Sequence, residues 1–308
     1  MSTISDEVKA SLQVDKSEIL FLYESTFSVP NGDPFTGEQR IDEETKQILV
    51  SDVRIKRFIR DFLADMGEDI YVQNDGETKS SAARFDELEK NAPKGTSAKE
   101  ILSKLIDVRL FGGISTKTGN AVNLTGPVQF ALLNPSLNKV DLRMHQNTSV
   151  FSSSDDKSRG AIGTTTVVPY AVCQINGWIN PFVALQTRLS QKDISSLLEA
   201  LWSSVNLANT RTKSNQNSLL LLQVIYDDPT KKLYGLSHAI RMVCGERDGA
   251  PLREEQIRNS DEYTLDFSRL FETVKNAGDA VRTVRYRTES DAIKAQLKGQ
   301  SKFEAFSL

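Results

Sequence analysis

The sequence predicts an α+β fold of the ferredoxin-like type, in which strands and helices alternate to build one sheet. Three observations predict it: apolar runs at 19–29 and 219–226, two segments with the apolar period of a helix, and further strand candidates between those helices. In chain order the elements are strand, helix, strand, strand, helix, strand. That order defines the split βαβ arrangement.

The first strand and the first helix are separated by a loop rich in turn formers. Residues 19–29, ILFLYESTFSV, end at the sequence PNGDP, which is typical of a turn. Ser51 then has the side chain of a helix N-cap, and apolar residues follow from Ile55 at offsets 0, 3, 4, 7, 8 and 11. We expect this helix to bury one face in the core.

The other face of this helix is predicted to be cationic. Only Asp61 interrupts a set of four basic residues, Arg54, Lys56, Arg57 and Arg60. Such a row suits a phosphate backbone, and the Ser51 end of the helix adds N–H donors and a partial positive charge. The alternative is an ordinary solvated helix surface.

The second helix is predicted at 191–206, where Ile194 starts the same apolar period. It follows an extended segment at 176–189, and a strand candidate at 121–133 lies between the two helices. Residues 73–100 are charged and are expected to form a surface excursion with some helix. Alternation from Val140, the polar tip SSSDDKS and a Thr/Val-rich return predict a long β-hairpin over 140–168. Residues after 227 hold a loop and mixed helix-forming sequence.

Composition narrows the class of protein. The chain has 308 residues, a net charge of −3 and a pI of about 5.6, so any nucleic-acid site must be local. Cys173 and Cys244 lie far apart without neighbours at metal-ligand spacing, and only two histidines, His145 and His238, are present. No apolar stretch approaches a membrane span. We expect a soluble cytoplasmic protein without a cofactor.

Two loops carry weaker signals. Asn31 and Gly32 belong to a turn that also suits close approach of a ligand to the backbone. Arg211 and Lys213 follow the second helix among Asn, Thr and Ser, where they either hold phosphates or are only hydrophilic.

Several longer motifs resemble one family when they are taken together. They are VPNGDPFTGEQRIDEET at 29–45, LVSDVRIKRFIRDFL at 49–63, DVRLFGG at 107–113, TGPVQFALLNPS at 125–136 and AIGTTTVVPYA at 161–171. This set is similar to the guide-RNA-binding backbone subunits of type I CRISPR Cascade complexes, and most similar to those of subtype I-B. The resemblance weakens after about residue 230.

The resemblance implies one elaborated domain over 1–308 with an RRM-like core, the palm. The implied parts are the palm at 15–72, 105–135 and 170–230, a finger insertion at 73–104, a hairpin thumb at 136–169 and a C-terminal extension at 231–308. Copies of such subunits pack along one crRNA, and each thumb displaces a base. Val150 and Phe151 near the thumb tip are candidates for that wedge, or for packing within the hairpin.

The resemblance also implies the partners and the contact residues. The partners are crRNA, the target DNA strand, other copies of the chain, the large subunit, the crRNA 5′-end subunit and the crRNA-processing subunit. The RNA-binding residues are expected to be Asn31, Gly32, Ser51, Arg54, Lys56, Arg57, Arg60, Arg143, His145, Gln146, Arg159, Gly160, Arg211 and Lys213. The stacking aromatics of ordinary RRMs are missing, so we expect recognition of backbone and shape.

Two enzymatic alternatives remain open at this point. Backbone subunits of type III complexes cut RNA with an aspartate after the first strand, and Asp33 or Asp42 lies in such a region, where carboxylates and phosphate would hold Mg²⁺. The chain could also be an RNA-processing nuclease, which would use His145 or His238 as a general base, or, as a non-enzymatic reading, a standalone single-strand binder. Against catalysis, Asp33 has a turn setting in which its carboxylate accepts from nearby N–H groups. We expect no catalytic residue.

Overall fold

A computed structural model describes residues 6–73, 80–117, 119–148 and 162–306. Within these ranges the helices are α1 (Asp6–Ser11), α2 (Asp52–Asp65), α3 (Ser81–Lys90), α4 (Ala98–Leu102), α5 (Ile106–Phe111), α6 (Pro181–Thr187), α7 (Gln191–Leu207), α8 (Ser268–Ala277) and α9 (Asp291–Leu297). No helix in these ranges has the length and apolar content needed to cross a membrane.

The strands in the same ranges vary from two to eighteen residues. They are β1 (Ser17–Ser28), β2 (Gln47–Ser51), β3 (Gly112–Ser115), β4 (Val122–Thr125), β5 (Val128–Phe130), β6 (Leu133–Lys139), β7 (Arg143–Thr148), β8 (Ile162–Ile179), β9 (Gln216–Tyr226), β10 (Arg241–Cys244), β11 (Glu246–Arg247), β12 (Ala250–Pro251), β13 (Tyr263–Asp266), β14 (Val281–Arg287) and β15 (Phe303–Ala305).

A mostly antiparallel sheet forms the centre of this α+β molecule. Its strand order is β15-β14-β9-β1-β8-β6-β2, with β5 and β7 also paired to β8. Only the β14–β15 pair is parallel among the described pairs. β1 is apolar along most of its length because it is buried between β8 and β9, which matches the continuous apolar run in its sequence.

Each face of the sheet has its own core. The predicted apolar stripes of α2 and α7 are buried against one face, together with Phe21 and Tyr23 of β1. Leu20 and Leu22 point to the opposite face, which is covered by the chain after β9, including α8 and α9. Alternate residues of β1 therefore pack into two cores, one on each face of the sheet. The segment after β9 covers the second face and adds β14 and β15 to the sheet.

The excursion between α2 and α5 is more than a surface loop. Phe85 of α3 and Leu102 of α4 are fully buried in a third, smaller core with Tyr71 and Leu124. The charged residues around Phe85 gave no sign in the sequence that this side chain is buried. The described residues of this insertion therefore fold around their own cluster.

The predicted hairpin is confirmed in its two described arms. β7 pairs antiparallel with the first part of β8, from Arg143 opposite Val167 to Thr148 opposite Ile162. β8 then continues without interruption into the central sheet. Residues 149–161, which include Val150 and Phe151, lie outside the described residues.

Two expectations about the middle of the chain are wrong. The single strand predicted at 121–133 is divided into β4, β5 and the start of β6, because Gly126 and Pro127 interrupt it. A Cβ on Gly126 would lie 2.0 Å from the carbonyl carbon of Phe111, so only glycine fits there. The extended segment predicted at 176–189 contains α6, whose start is capped by Asn180 and fixed by Pro181.

Candidate nucleic-acid interface

The loop after β1 is held against the N-terminus of α2. The buried side-chain oxygen of Asn31 accepts from the backbone N–H of Ser51 at 2.6 Å and from its hydroxyl at 2.8 Å. The Ser51 hydroxyl oxygen in turn accepts from the N–H of Arg54 at 3.3 Å, as predicted for an N-cap. Asn31 and Ser51 thus position the helix end, and any contact they make with RNA stays a prediction.

Gly32 allows this loop to close. A Cβ at position 32 would come within 3.2 Å of the carbonyl oxygen of Gly37. Gly32 also bridges to Gln39, whose side chain accepts from the N–H of Asn31 at 2.9 Å. The return of the loop on itself explains the glycine at position 32 without a ligand.

Asp33 stabilises its own turn. One carboxylate oxygen accepts from the N–H groups of Phe35 at 2.9 Å and Thr36 at 3.3 Å, and the other lies 3.3 Å from the guanidinium of Arg40. These backbone hydrogen bonds, with a smaller effect of Arg40, lower the pKa of the Asp33 carboxyl. The predicted turn role is confirmed.

Asp42 has the same kind of setting in the next turn. Its carboxylate accepts from the N–H groups of Glu44 at 3.0 Å and Thr45 at 3.4 Å, and these bonds lower its pKa. In the described ranges no group of three or more His, Cys, Asp or Glu side chains is placed to hold a metal ion.

Three of the four basic residues predicted on the outer face of α2 are paired with carboxylates of the chain, and their contacts with RNA stay a prediction. Lys56 pairs with Asp52 at 2.9 Å and Arg57 pairs with Asp61 at 2.7 Å, both one helical turn apart. Arg60 reaches the fully buried Asp107 at 2.9 Å. Asp107 also accepts from two backbone N–H groups, so Arg60 is fixed in a structural bond. These cations are largely neutralised within the chain.

Arg54 is the exception on α2. Its guanidinium stacks over the Phe58 ring at 3.8 Å and has no hydrogen bond or ion pair with any described residue. Burial lowers its pKa, which means that the charge is partly removed from water, and the charges of Tyr23 and Asp61 offset this effect only in part. A partly buried cation without an acceptor is costly unless a ligand supplies one.

Lys213 brings a second cation to the same place. Its ammonium donates to the backbone carbonyl of Val29, and no carboxylate is paired with it among the described residues. Burial, and then the positive charge of Arg54, lower the pKa of Lys213 to about 8. The charge of Arg54 acts on Lys213, so the two cations lie near each other, and a bound anion would favour the charged form of both. We call Arg54 and Lys213 the cation pair.

A small pocket adjoins the cation pair. It has a volume of about 250 Å³, and its lining includes Phe27, Val29, His145 and Arg211. His145 comes from β7 and Arg211 from the loop after α7, so the fold brings these two predicted residues together. Arg143 and Gln146 are exposed on β7 outside the pocket lining. Arg159 and Gly160 lie outside the described residues.

Phe27 is the residue that sequence reasoning missed. It has the same strand parity as Phe21, Tyr23 and Val29, all of which are buried, and that parity predicts a core position. Instead its side chain is 63% exposed, because the backbone has a φ of +44° there. Nothing in the pattern signals this local turn.

Comparison with known proteins agrees with the architecture. The family model described as CRISPR-associated protein Cas7 matches residues 15–268. A curated CRISPR-associated protein Cas7 of Haloferax volcanii is 28% identical over 300 residues, covering 88% of this chain and 86% of the relative.

Two solved structures share the fold. A chain of a "CRISPR RNA-guided surveillance complex, pre-nicking" has a TM-score of 0.58 at 11% identity, covering 95% of this chain and 96% of its own. A chain of a "CRISPR RNA-guided surveillance complex" has a TM-score of 0.54 at 15% identity, with 94% of both chains covered. The family expected from the motifs is confirmed, and the subtype stays a prediction. The chain belongs to the family of CRISPR-associated protein Cas7.

Proposed function

We propose that this chain is a backbone subunit of a CRISPR surveillance complex, that it holds the phosphate backbone of the guide RNA, and that it does not cut nucleic acid. The observation that carries the proposal is the cation pair. Arg54 has no acceptor in the described protein, and Lys213 has only a backbone carbonyl. A phosphate between them would supply the missing charge and acceptors at once.

The site suits a guide of arbitrary sequence. Phosphate contacts fix the register and the path of a strand without reading its bases. Asn31 and Ser51 hold the loop and the helix end, so the cation pair is presented on a fixed frame. Repetition of one such site in each copy would track a long RNA.

The fold supports the palm and thumb expected of such a subunit. The four strands β1, β6, β8 and β9 stand in the order β9-β1-β8-β6, and α2 and α7 pack on one face, as in an RRM-like core. β7 and β8 extend from that sheet as the two arms of a thumb. The insertion containing α3 and α4, with its own small core, is the finger.

The absence of cutting follows from the proposed roles of the two candidate aspartates. Asp33 and Asp42 each accept two backbone N–H groups of their own turns, so their oxygens serve the loop. The proposed partners are crRNA, target DNA through the guide, other copies of the chain and the remaining Cascade subunits, all in the cytoplasm. Cleavage of bound RNA that needs Mg²⁺ or Mn²⁺ and Asp33 would favour the type III ribonuclease alternative.

Salt-dependent RNA binding tests the proposal. The affinity of the full chain for a single-stranded RNA is measured between about 50 and about 300 mM salt, which spans a range of about 2.4-fold in Debye length. Arg54→Gln and Lys213→Met should each lower the slope of log K against log salt by about 0.7, the value for one phosphate contact. Arg57→Gln is the matched control, because Arg57 is already paired with Asp61. Equal slopes in all four proteins would refute the phosphate site.

A further inference from the structure

Phe27 adopts a backbone conformation that large side chains avoid. Its φ of +44° is the only positive value at an aromatic residue in the described chain. Its neighbours Thr26 and Ser28 pair with Tyr170 and Val168 of β8, and Pro169 between those two has no N–H to give to the ladder. The neighbouring bonds from Thr26 N–H to Asn215 O at 3.0 Å and from Val29 N–H to Thr212 O at 2.8 Å hold the backbone in place.

The conformation turns the ring out of the core. Strand parity would bury Phe27 beside Tyr23 and Val29, yet 63% of it is exposed. Strained conformations of this kind persist where surrounding contacts enforce them, and they concentrate at functional positions. Backbone strain that exposes an aromatic ring is expected where the ring contacts a binding partner.

The surroundings of the ring indicate what that partner is. The pocket beside Phe27 has a volume of about 250 Å³, which accommodates one flat heterocycle, and Arg211 and His145 lie on its wall. Val29, also on the wall, carries the carbonyl that anchors Lys213 of the cation pair. A flat apolar ring next to cations matches one nucleotide, with its base on the ring and its phosphate on the cations.

We propose that Phe27 is a base-stacking platform, and that the pocket formed with Arg211 and His145 takes one nucleobase of the guide RNA. The inference rests on the proposed function, and it adds a base contact to a site otherwise built for phosphate. Stacking tolerates any base, because every base has a π-face. The platform would therefore fix the position of one nucleotide per subunit without restricting the guide sequence.

Abasic RNA distinguishes the contribution of base stacking on Phe27 from the contribution of phosphate contacts with the cation pair. Two oligonucleotides of equal length and charge, one normal and one abasic at every position, are titrated with full-length wild type, Phe27→Leu and Phe35→Leu. Phe35 is the matched control, because it is a 96% exposed aromatic residue in the adjacent loop. Phe27→Leu should weaken binding of normal RNA by about tenfold and leave binding of abasic RNA unchanged. Phe35→Leu should change neither.

A fluorescent base gives the second readout. RNA containing 2-aminopurine should be quenched on wild type by stacking, less quenched on Phe27→Leu, and quenched again on Phe27→Trp. Phe27→Gly guards against a folding defect, since glycine accepts the positive φ, and it should behave as Phe27→Leu does.

Each other outcome overturns the inference. If Phe27→Leu loses equal affinity for normal and abasic RNA, or loses none, the ring does not stack on a base. If Phe35→Leu causes the same loss, the effect is not specific to the pocket. If wild type binds neither oligonucleotide, the proposed function fails and the platform fails with it.

Discussion

Lys213 should make RNA binding depend on pH in a range below the ordinary pKa of a lysine. The pKa of its ammonium in the free protein is about 8, because burial and the adjacent Arg54 disfavour the charge. A bound phosphate favours the charge and should return the pKa toward the ordinary lysine value of about 10.4. The complex then binds more protons than the free protein between these two values, so affinity falls as pH rises through that window.

The size of the effect follows from the titration. Between pH 7 and pH 9 the charged fraction of Lys213 in the free protein falls from about 0.9 to about 0.1. If Lys213 stays charged in the complex, the association constant should fall about tenfold over the same interval. Below pH 7 the affinity should be flat with respect to this group.

Lys213→Arg isolates this contribution. Arginine stays charged throughout the interval, so the variant should lose the tenfold fall while still binding RNA. The α-amino group also titrates near this range, but it is common to both proteins and cancels in the comparison. Binding is measured at fixed ionic strength by anisotropy of a labelled, 2′-protected RNA. Parallel pH profiles for wild type and Lys213→Arg would refute the assignment of Lys213 to a phosphate.

Six further substitutions, at five positions, test the remaining assignments. Arg54→Gln should weaken RNA binding without lowering the melting temperature, since it removes a partly buried charge that is disfavoured overall, whereas Arg57→Gln should change stability by less than about 0.5 kcal/mol. Phe27→Gly should leave the free energy of unfolding unchanged or raise it by up to about 1 kcal/mol, because relief of positive φ exceeds the entropy cost of glycine; a large loss in denaturant titration would contradict this. Asp33→Asn should keep RNA affinity and Asp33→Ala should lower it, because only Asn replaces the turn acceptor; equal affinities would contradict the turn role. Asp107→Ala should cost about 3–5 kcal/mol in thermal or denaturant unfolding, since it leaves Arg60 and two N–H groups unpaired; a cost below about 1 kcal/mol would show that Asp107 is not needed.

Local signals in the sequence predicted the elements well. The Ser51 cap and the apolar period after it involve residues within a few positions of one another, and α2 begins at the next residue, Asp52. The division of the predicted strand at Gly126 and Pro127 was not predicted. Glycine is needed at position 126 because the backbone of Phe111 lies so close to it. This close approach is a tertiary contact, and a local sequence pattern does not predict it.

In the candidate site, too, contacts between residues close in sequence could be predicted and contacts between distant residues could not. The pairs Asp52–Lys56 and Arg57–Asp61 have the i, i+4 spacing that stabilises helices, so their neutralisation was readable from the sequence. The bond of Arg60 to Asp107 spans 47 residues, and the contact of Lys213 with Val29 spans 184. Only the folded chain shows that the Arg54 guanidinium stacks on Phe58 and pairs with no carboxylate of the described residues, while its neighbours are paired.

The pairing also bears on how, under the proposed function, an acidic protein would hold RNA. A net charge of −3 gives no general attraction to a polyanion, and most of the basic residues on α2 are neutralised by the chain itself. In the proposed site the contacts come from the cation pair, whose partial burial makes each phosphate contact count for more than it would in open water. Binding through two such contacts should give a salt slope of only about 1.4 per subunit. Tight binding then has to come from many copies on one strand, since each added copy is held by its neighbours as well as by the RNA. A weak single site on a strongly repeated subunit is therefore what the charge distribution favours.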